Sequence, residues 1–236
     1  MILVLWDIDR TLLYAGDIDR RVYREVFRDV VGREARVLPA RGTGVTMPLA
    51  VLELLISNGV PKADEERLAR QIVDRLPERL NCHREALRTE GRLMPGALTA
   101  LTAVRRSESF IPTIVTGNLR GSAETKLSAL GLAPYVDTSV GGYASDDSHR
   151  PALVRIAQRR AEKAYGHKFT RANTVIIGDS LQDVLSGREG GAKVIGVASG
   201  TTSALDLVTE GADHVIPDLR DADGLIQLIR IAADGQ

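Results

Sequence analysis

Short apolar runs of strand length recur along the chain, and three of them end on small polar or acidic residues. Leu3-Val4-Leu5-Trp6 leads into Asp7, Phe110–Val115 into Thr116-Gly117-Asn118, and Thr174–Ile177 into Gly178-Asp179. The pattern predicts strands at about 2–7, 111–115, 135–140, 174–178, 193–197 and 214–216. Between them, helical periodicity fills 97–106, 121–130, 150–164, 181–189, 203–209 and 221–233. Strand and helix alternate from residue 95 onward, the signature of a parallel sheet with right-handed crossovers.

The interval 14–92 reads differently. It is helical in period and charged throughout, with breakers near Gly42-Thr43-Gly44, Asn58-Gly59-Val60-Pro61 and Pro77, and no convincing strand. A helical insertion between the first and second strands is the natural reading, with Met94-Pro95-Gly96 as the return hinge. The chain then divides into a core of residues 1–13 and 93–236 and a helical domain of residues 14–92. It contains no internal repeat and no low-complexity tract.

The strand exits carry the candidate chemistry. Asp7 and Asp9 are separated by one residue, so persistent strand geometry projects both carboxylates from one side. Two like charges that close share a cation or a proton, or one changes its pKa. A divalent metal with nucleophile-and-acid chemistry reconciles them; an Asx turn with both groups in water is the alternative. Asp179 leaves a second strand, Asp183 follows four residues later, and Ser180 stands where a helix N-cap belongs. Three such exits in one chain point to a site at the ends of an open parallel sheet.

Composition narrows the partners. Of the 236 residues, 44% are hydrophobic and 26% charged, and the charges balance to a formal net of zero. That balance argues against nucleic acid or an anionic membrane as the main partner, while a small anion needs only a local positive site. A single cysteine, Cys82, excludes an intrachain disulfide and suggests a reducing compartment. The N-terminus runs into Asp7 too early for a signal peptide, and no apolar stretch approaches membrane-spanning length. A cytoplasmic location is expected. Gly187-Arg188-Glu189-Gly190-Gly191 has neither the order nor the spacing of a nucleotide loop and reads as a helix C-cap.

Asp7-x-Asp9-x-Thr11, Thr116-Gly117-Asn118, Arg150-Pro151 and Gly178-Asp179-Ser180-x-x-Asp183 occur in the order of four motifs of the haloacid dehalogenase superfamily. The chain resembles its phosphoglycolate-phosphatase-like branch from residue 2 to about 219. Two departures stand out: Arg10 where members usually carry Gly, and Arg150 where they usually carry Lys. The resemblance implies a Rossmann-like, doubly wound parallel sheet with a small all-helical cap, and a Mg²⁺-dependent phosphatase acting on a small phosphorylated metabolite. It implies Asp7 as nucleophile and Asp9 as general acid and base. Asp7, Asp9 (through its main-chain carbonyl), Asp179 and Asp183 become the metal candidates, and Thr116, Asn118 and Arg150 the phosphate-binding ones. Thr11 is expected to buttress the loop after Asp9.

Selectivity falls to the cap. Related phosphatases often carry Gly-Arg-Thr-Asp where this chain has Gly44-Val45-Thr46-Met47, with Arg41 three positions before Gly44. Arg10, Tyr14, Arg41 and Thr46 are the specificity candidates. Asp9 argues against a dehalogenase. Lys62, the one lysine between residues 14 and 92, lies in a predicted turn and makes a Schiff-base phosphonate hydrolase a weak reading. A sugar phosphomutase and a non-catalytic phosphate-binding regulatory module remain alternatives, and monomer and homodimer are both open.

Overall fold

The structure is a computed structural model that describes residues 1–40 and 44–234. In chain order its elements are β1 (Ile2–Trp6), β2 (Leu13–Tyr14), α1 (Ile18–Val31), α2 (Met47–Ser57), α3 (Lys62–Cys82), α4 (Arg84–Glu90) and β3 (Arg92–Leu93). Then follow α5 (Ala97–Arg106), β4 (Phe110–Thr116), α6 (Arg120–Ala129), β5 (Gly142–Tyr143), α7 (Arg150–Tyr165) and β6 (Thr174–Gly178). The chain closes with α8 (Leu181–Gly190), β7 (Lys193–Val197), α9 (Ala204–Glu210), β8 (His214–Ile216) and α10 (Ala222–Asp234).

Six strands form one sheet in the order β5-β4-β1-β6-β7-β8, every neighbouring pair parallel. The fold is the Rossmann-like, doubly wound one, and the pattern of β1 shows why. Its alternate residues serve two cores: Leu3 and Leu5 pack with Leu153, Val154 and Ala157 of α7, while Val4 and Trp6 pack with Ala100, Leu101 and Ile229 of α5 and α10. A strand covered on both faces must be apolar at every position, as Ile-Leu-Val-Leu-Trp is. From β1 the chain winds first toward β4 and β5, then returns to β6, β7 and β8 on the other side. The crevice at such a reversal, outside the carboxyl ends of the strands, is where open sheets of this type bind ligands.

Helices α1–α4 lie between β2 and β3, which pair antiparallel with Leu13 opposite Leu93 and Tyr14 opposite Arg92. This two-residue ribbon is a strand pair in a stretch that reads as strandless, because two residues are too few to show alternation. Pro77 is not a breaker: it sits inside α3, whose stripe of Leu68, Ile72, Leu76 and Leu80 is buried. Burial of that stripe outweighs the roughly 3 kcal/mol that proline costs a helix interior. Lys62 opens α3 rather than lying in a turn.

The strand expected at 135–140 is absent. Two 3₁₀ turns, Ala133–Tyr135 and Thr138–Val140, take its place, and the edge strand is the short Gly142–Tyr143. Turn chemistry wins here: Pro134 is the second residue of the first turn, and the Asp137 carboxylate accepts from Ser139 N at 2.9 Å in the second. The remaining strands and core helices lie within a residue or two of their expected limits. Among the described residues, no helix is long and apolar enough to cross a membrane.

Candidate active site

Register brings the three motif-bearing strand ends together. Trp6 pairs with Ile114 on one side and Ile177 on the other, so β1, β4 and β6 finish side by side. Asp7 is the first residue beyond β1, its N–H donating to Ile177 O at 3.0 Å. Thr116 ends β4, and Asp179 follows the last residue of β6. Asp183 lies in the first turn of α8 in a capping box: Ser180 Oγ donates to Asp183 Oδ2 at 2.6 Å, and Asp183 N returns a bond to Ser180 Oγ at 3.2 Å. That box commits Oδ2 and leaves Oδ1 facing the cleft's charges.

Carboxylate oxygens of Asp7, Asp179 and Asp183 lie within 4.8 Å of one another, all three residues buried. Burial first, then the charge of Asp183, raises the Asp7 carboxyl well above the usual range, with Arg150 opposing the shift. Asp179 is pushed up to about 7, again by burial first and by Asp183 second, with the Thr11 hydroxyl opposing through a 3.0 Å bond to its Oδ1. An all-oxygen set that repels itself this strongly fits a hard divalent cation.

Arg150, the first residue of α7, supplies positive charge from the other side. One guanidinium nitrogen contacts Asp183 Oδ1 and lies 3.3 Å from Asp7 Oδ1, while the other donates to the main-chain oxygen of Gly44 at 2.6 Å. The fork geometry of Arg makes this three-way contact available where the point charge of Lys offers less. Gly44 thus ties the segment before α2 to the site. Thr46 Oγ1 donates to Ser148 O at 3.0 Å, and Met47 N donates to Gly117 O at 2.8 Å. The approach is close: a Cβ on Gly117 would lie 2.8 Å from Val45 O, and one on Gly44, whose φ is +69°, would strike Ser180 Oγ. Glycine is needed at both positions.

A second cation holds the second acid. Lys126 of α6 is 1% exposed, and its Nζ donates to Asp9 Oδ1 at 2.8 Å and Oδ2 at 2.9 Å, to Asp19 Oδ2 at 2.8 Å and to Asn118 Oδ1 at 2.9 Å. Burial disfavours the charged ammonium, but Asp19 and Asp9 outweigh it and its pKa rises. Asp19 is raised by burial foremost, with Lys126 opposing. The sequence reading missed both Lys126 and Asp19. The available signal was a lysine on the face of Leu119, Ala123, Leu127 and Leu130, a helix stripe that otherwise turns inward.

The structure places the other expected residues as follows. Asn118 lies in the cleft, but its amide is committed: Nδ2 donates to Asp9 Oδ2 at 2.7 Å and to Thr116 Oγ1 at 2.9 Å. Thr116 and Tyr14 line the cleft wall with Arg10. Two guanidiniums stack near the Tyr14 ring, Arg10 at 5.2 Å and Arg92 at 4.6 Å from its centroid. Arg10 has φ +66°, unique among the described non-glycine residues. This left-handed conformation, costing about 1–2 kcal/mol for an L-residue, is the physical reason glycine suits the position. Thr46 is fully buried against Ser148 and contributes to docking the segment, not to the cleft wall. Arg41 lies outside the described residues.

A parallel sheet wound in both directions, with acids converging at its reversal point, is a ligand-binding architecture. The sequence matches the haloacid dehalogenase-like hydrolase family over residues 4–188, and the chain belongs to that family. It is 26% identical over 242 residues to the plasmid-borne phosphoglycolate phosphatase of Cupriavidus necator, covering 97% of this chain and 94% of the relative. Among solved structures, a hydrolase from Pseudomonas syringae superposes with a TM-score of 0.70 at 21% identity, covering 97% of this chain and 99% of the other. A Bacteroides vulgatus protein provisionally named a beta-phosphoglucomutase superposes with a TM-score of 0.67 at 17% identity, covering 100% and 91%.

Proposed function

We propose that this chain is a Mg²⁺-dependent phosphatase that hydrolyses a small phosphomonoester through an aspartyl-phosphate on Asp7. The observation that carries the reading is the convergence of Asp7, Asp179 and Asp183 within 4.8 Å, beside Arg150 and at the switch point of the sheet. The family match and the curated phosphatase relative support the reaction class. A cleft of about 180 Å³ suits a small ester better than a polymer.

Asp7 attacks phosphorus and expels the alcohol, making a carboxyl–phosphoryl bond as the ester oxygen leaves. Asp9 gives that oxygen its proton, then takes one from the water that cleaves the aspartyl-phosphate and frees inorganic phosphate. Arg150 and Thr116 hold phosphoryl oxygens; Asn118 contributes chiefly by fixing Asp9, to which its amide is bonded. Asp7 and Asp179 would hold Mg²⁺ through carboxylates and Asp9 through its main-chain carbonyl, with Asp183 ligating or orienting metal-bound water. The ion, when bound, offsets the charge of these acids and of the phosphoryl oxygens. Helices α1–α4 act as the cap, and the segment through Gly44 and Thr46 excludes water while the phosphoryl group moves.

Release of inorganic phosphate from a panel containing 2-phosphoglycolate, sugar phosphates and nucleoside monophosphates, with and without Mg²⁺, tests the reading. Turnover that requires the ion and disappears in Asp9→Asn is the expected result. A folded protein that releases no phosphate from any ester, yet interconverts sugar phosphate isomers, would overturn hydrolysis in favour of phosphoryl transfer between hydroxyls.

A further inference from the structure

The two acids of the first motif are held by different cations from different elements. Arg150 contacts Asp7, while Lys126 contacts Asp9 through both oxygens. An ammonium has three N–H donors. Those of Lys126 are shared among Asp9, Asp19 and Asn118, so the group is fully used and sits in one orientation. Its partners span the molecule: Asp9 follows β1, Asn118 follows β4, and Asp19 belongs to α1, the first helix of the insertion. Among the described residues, the Asp19 side chain has no other hydrogen bond: Oδ2 accepts from Lys126, and Oδ1, buried, has no partner. A carboxylate that costs desolvation and bonds to nothing else in the insertion is there for Lys126. The Asp9 side chain, by contrast, keeps 36% exposure and lines the cleft.

We propose that Lys126 is a positioning residue for the acid–base group: anchored by Asp19 of the cap and Asn118 of the core, it directs the Asp9 carboxylate at the leaving-group oxygen only while α1 is seated. This deepens the phosphatase reading and rests on Asp9 being its general acid. The ion pair does not touch Asp7, so attack on phosphorus is left to the Arg150 side of the cleft. Losing Lys126 or its cap anchor then impairs proton delivery more than phosphoryl binding.

The test uses the full chain with Mg²⁺ and a series of aryl phosphates from p-nitrophenyl, whose phenolate departs without a proton, to p-methoxyphenyl, whose phenolate departs poorly. Wild type, Lys126→Met, Asp19→Asn and Asp9→Asn are compared, each first checked for folding by circular dichroism. In Lys126→Met, kcat/KM, which covers expulsion of the alcohol but not the later hydrolysis of the aspartyl-phosphate, falls about 10²-fold for p-methoxyphenyl phosphate and less than about 10-fold for p-nitrophenyl phosphate. Asp19→Asn, an isosteric change, shows the same leaving-group bias in smaller degree and decides the matter if Lys126→Met does not fold. An equal loss of kcat/KM across the series, or none, overturns the positioning role while leaving the phosphatase reading intact, provided Asp9→Asn is impaired. Full activity in Asp9→Asn overturns the phosphatase mechanism itself and the positioning role with it.

Discussion

Adding Mg²⁺ at two pH values probes the acidic cluster directly. At an effective dielectric near 20, two unit charges 4.8 Å apart, the outer limit of the Asp7, Asp179 and Asp183 spacing, repel by about 3.5 kcal/mol. Arg150 offsets part of this at Asp7, while burial first and the charge of Asp183 second push Asp179 up to about 7. Against an ordinary value of about 3.9, a shift of about three units corresponds to something on the order of 4 kcal/mol acting against the fully ionised site. Because the folded value exceeds the unfolded one, the folded chain binds the extra proton between them. The stability this proton contributes is complete below about pH 4 and is lost as pH rises through about 7. A divalent ion takes the proton's place in the ionised site, and protons compete with it under acid conditions. At 100 times its Kd the ion adds about 2.7 kcal/mol, roughly 5–10 °C in Tm for a chain of this size. Thermal melts by circular dichroism with saturating Mg²⁺ should show that rise near pH 8 and a clearly smaller one near pH 5.5. An equal rise at both pH values, no rise near pH 8, or a full rise retained in Asp179→Asn would refute the assignment of the ion to this cluster.

Two further outcomes follow from close contacts. Arg150→Met leaves Asp7 and Asp183 buried without their cation and should cost about 3–5 kcal/mol, a Tm drop of roughly 6–20 °C; a drop under about 2 °C would contradict the buried pairing. Gly117→Ala places a methyl 2.8 Å from Val45 O and 3.2 Å from Thr46 Cα, displacing the docked segment, so stability should fall by about 1–3 kcal/mol and KM should rise. Unchanged Tm and KM would mean that this segment does not depend on close approach at Gly117.

Much of this was legible in the sequence because a strand buried on both faces must be apolar throughout, and its exit must then turn polar. β1, β4 and β6, with Asp7, Thr116 and Asp179 at their ends, follow from that constraint alone. The short elements were not legible: β2, β3 and β5 have two residues each and carry no period. Pro77 misled because the local cost of proline is visible in sequence, whereas the packing that overrides it is not. Lys126 escaped for a different reason. Its partners lie 107 residues away at Asp19 and 117 away at Asp9, and no local pattern joins them. The polar commitments of Asn118 and Thr46 likewise depend on which chain segment arrives opposite them.

The ribbon of β2 and β3 also bears on how such a protein can be rebuilt. Leu13 and Leu93 face each other, as do Tyr14 and Arg92, so the chain enters and leaves helices α1–α4 at neighbouring points. Across an antiparallel pair that gap is about 5 Å, short enough for a two-residue hairpin loop to bridge. Helices α1–α4 therefore begin and end at one place, as an exchangeable segment does. Helices of another architecture could be spliced at Tyr14 and Arg92 without reopening the sheet, and the spliced segment would need to restore an acid opposite Lys126 and a carbonyl opposite Arg150.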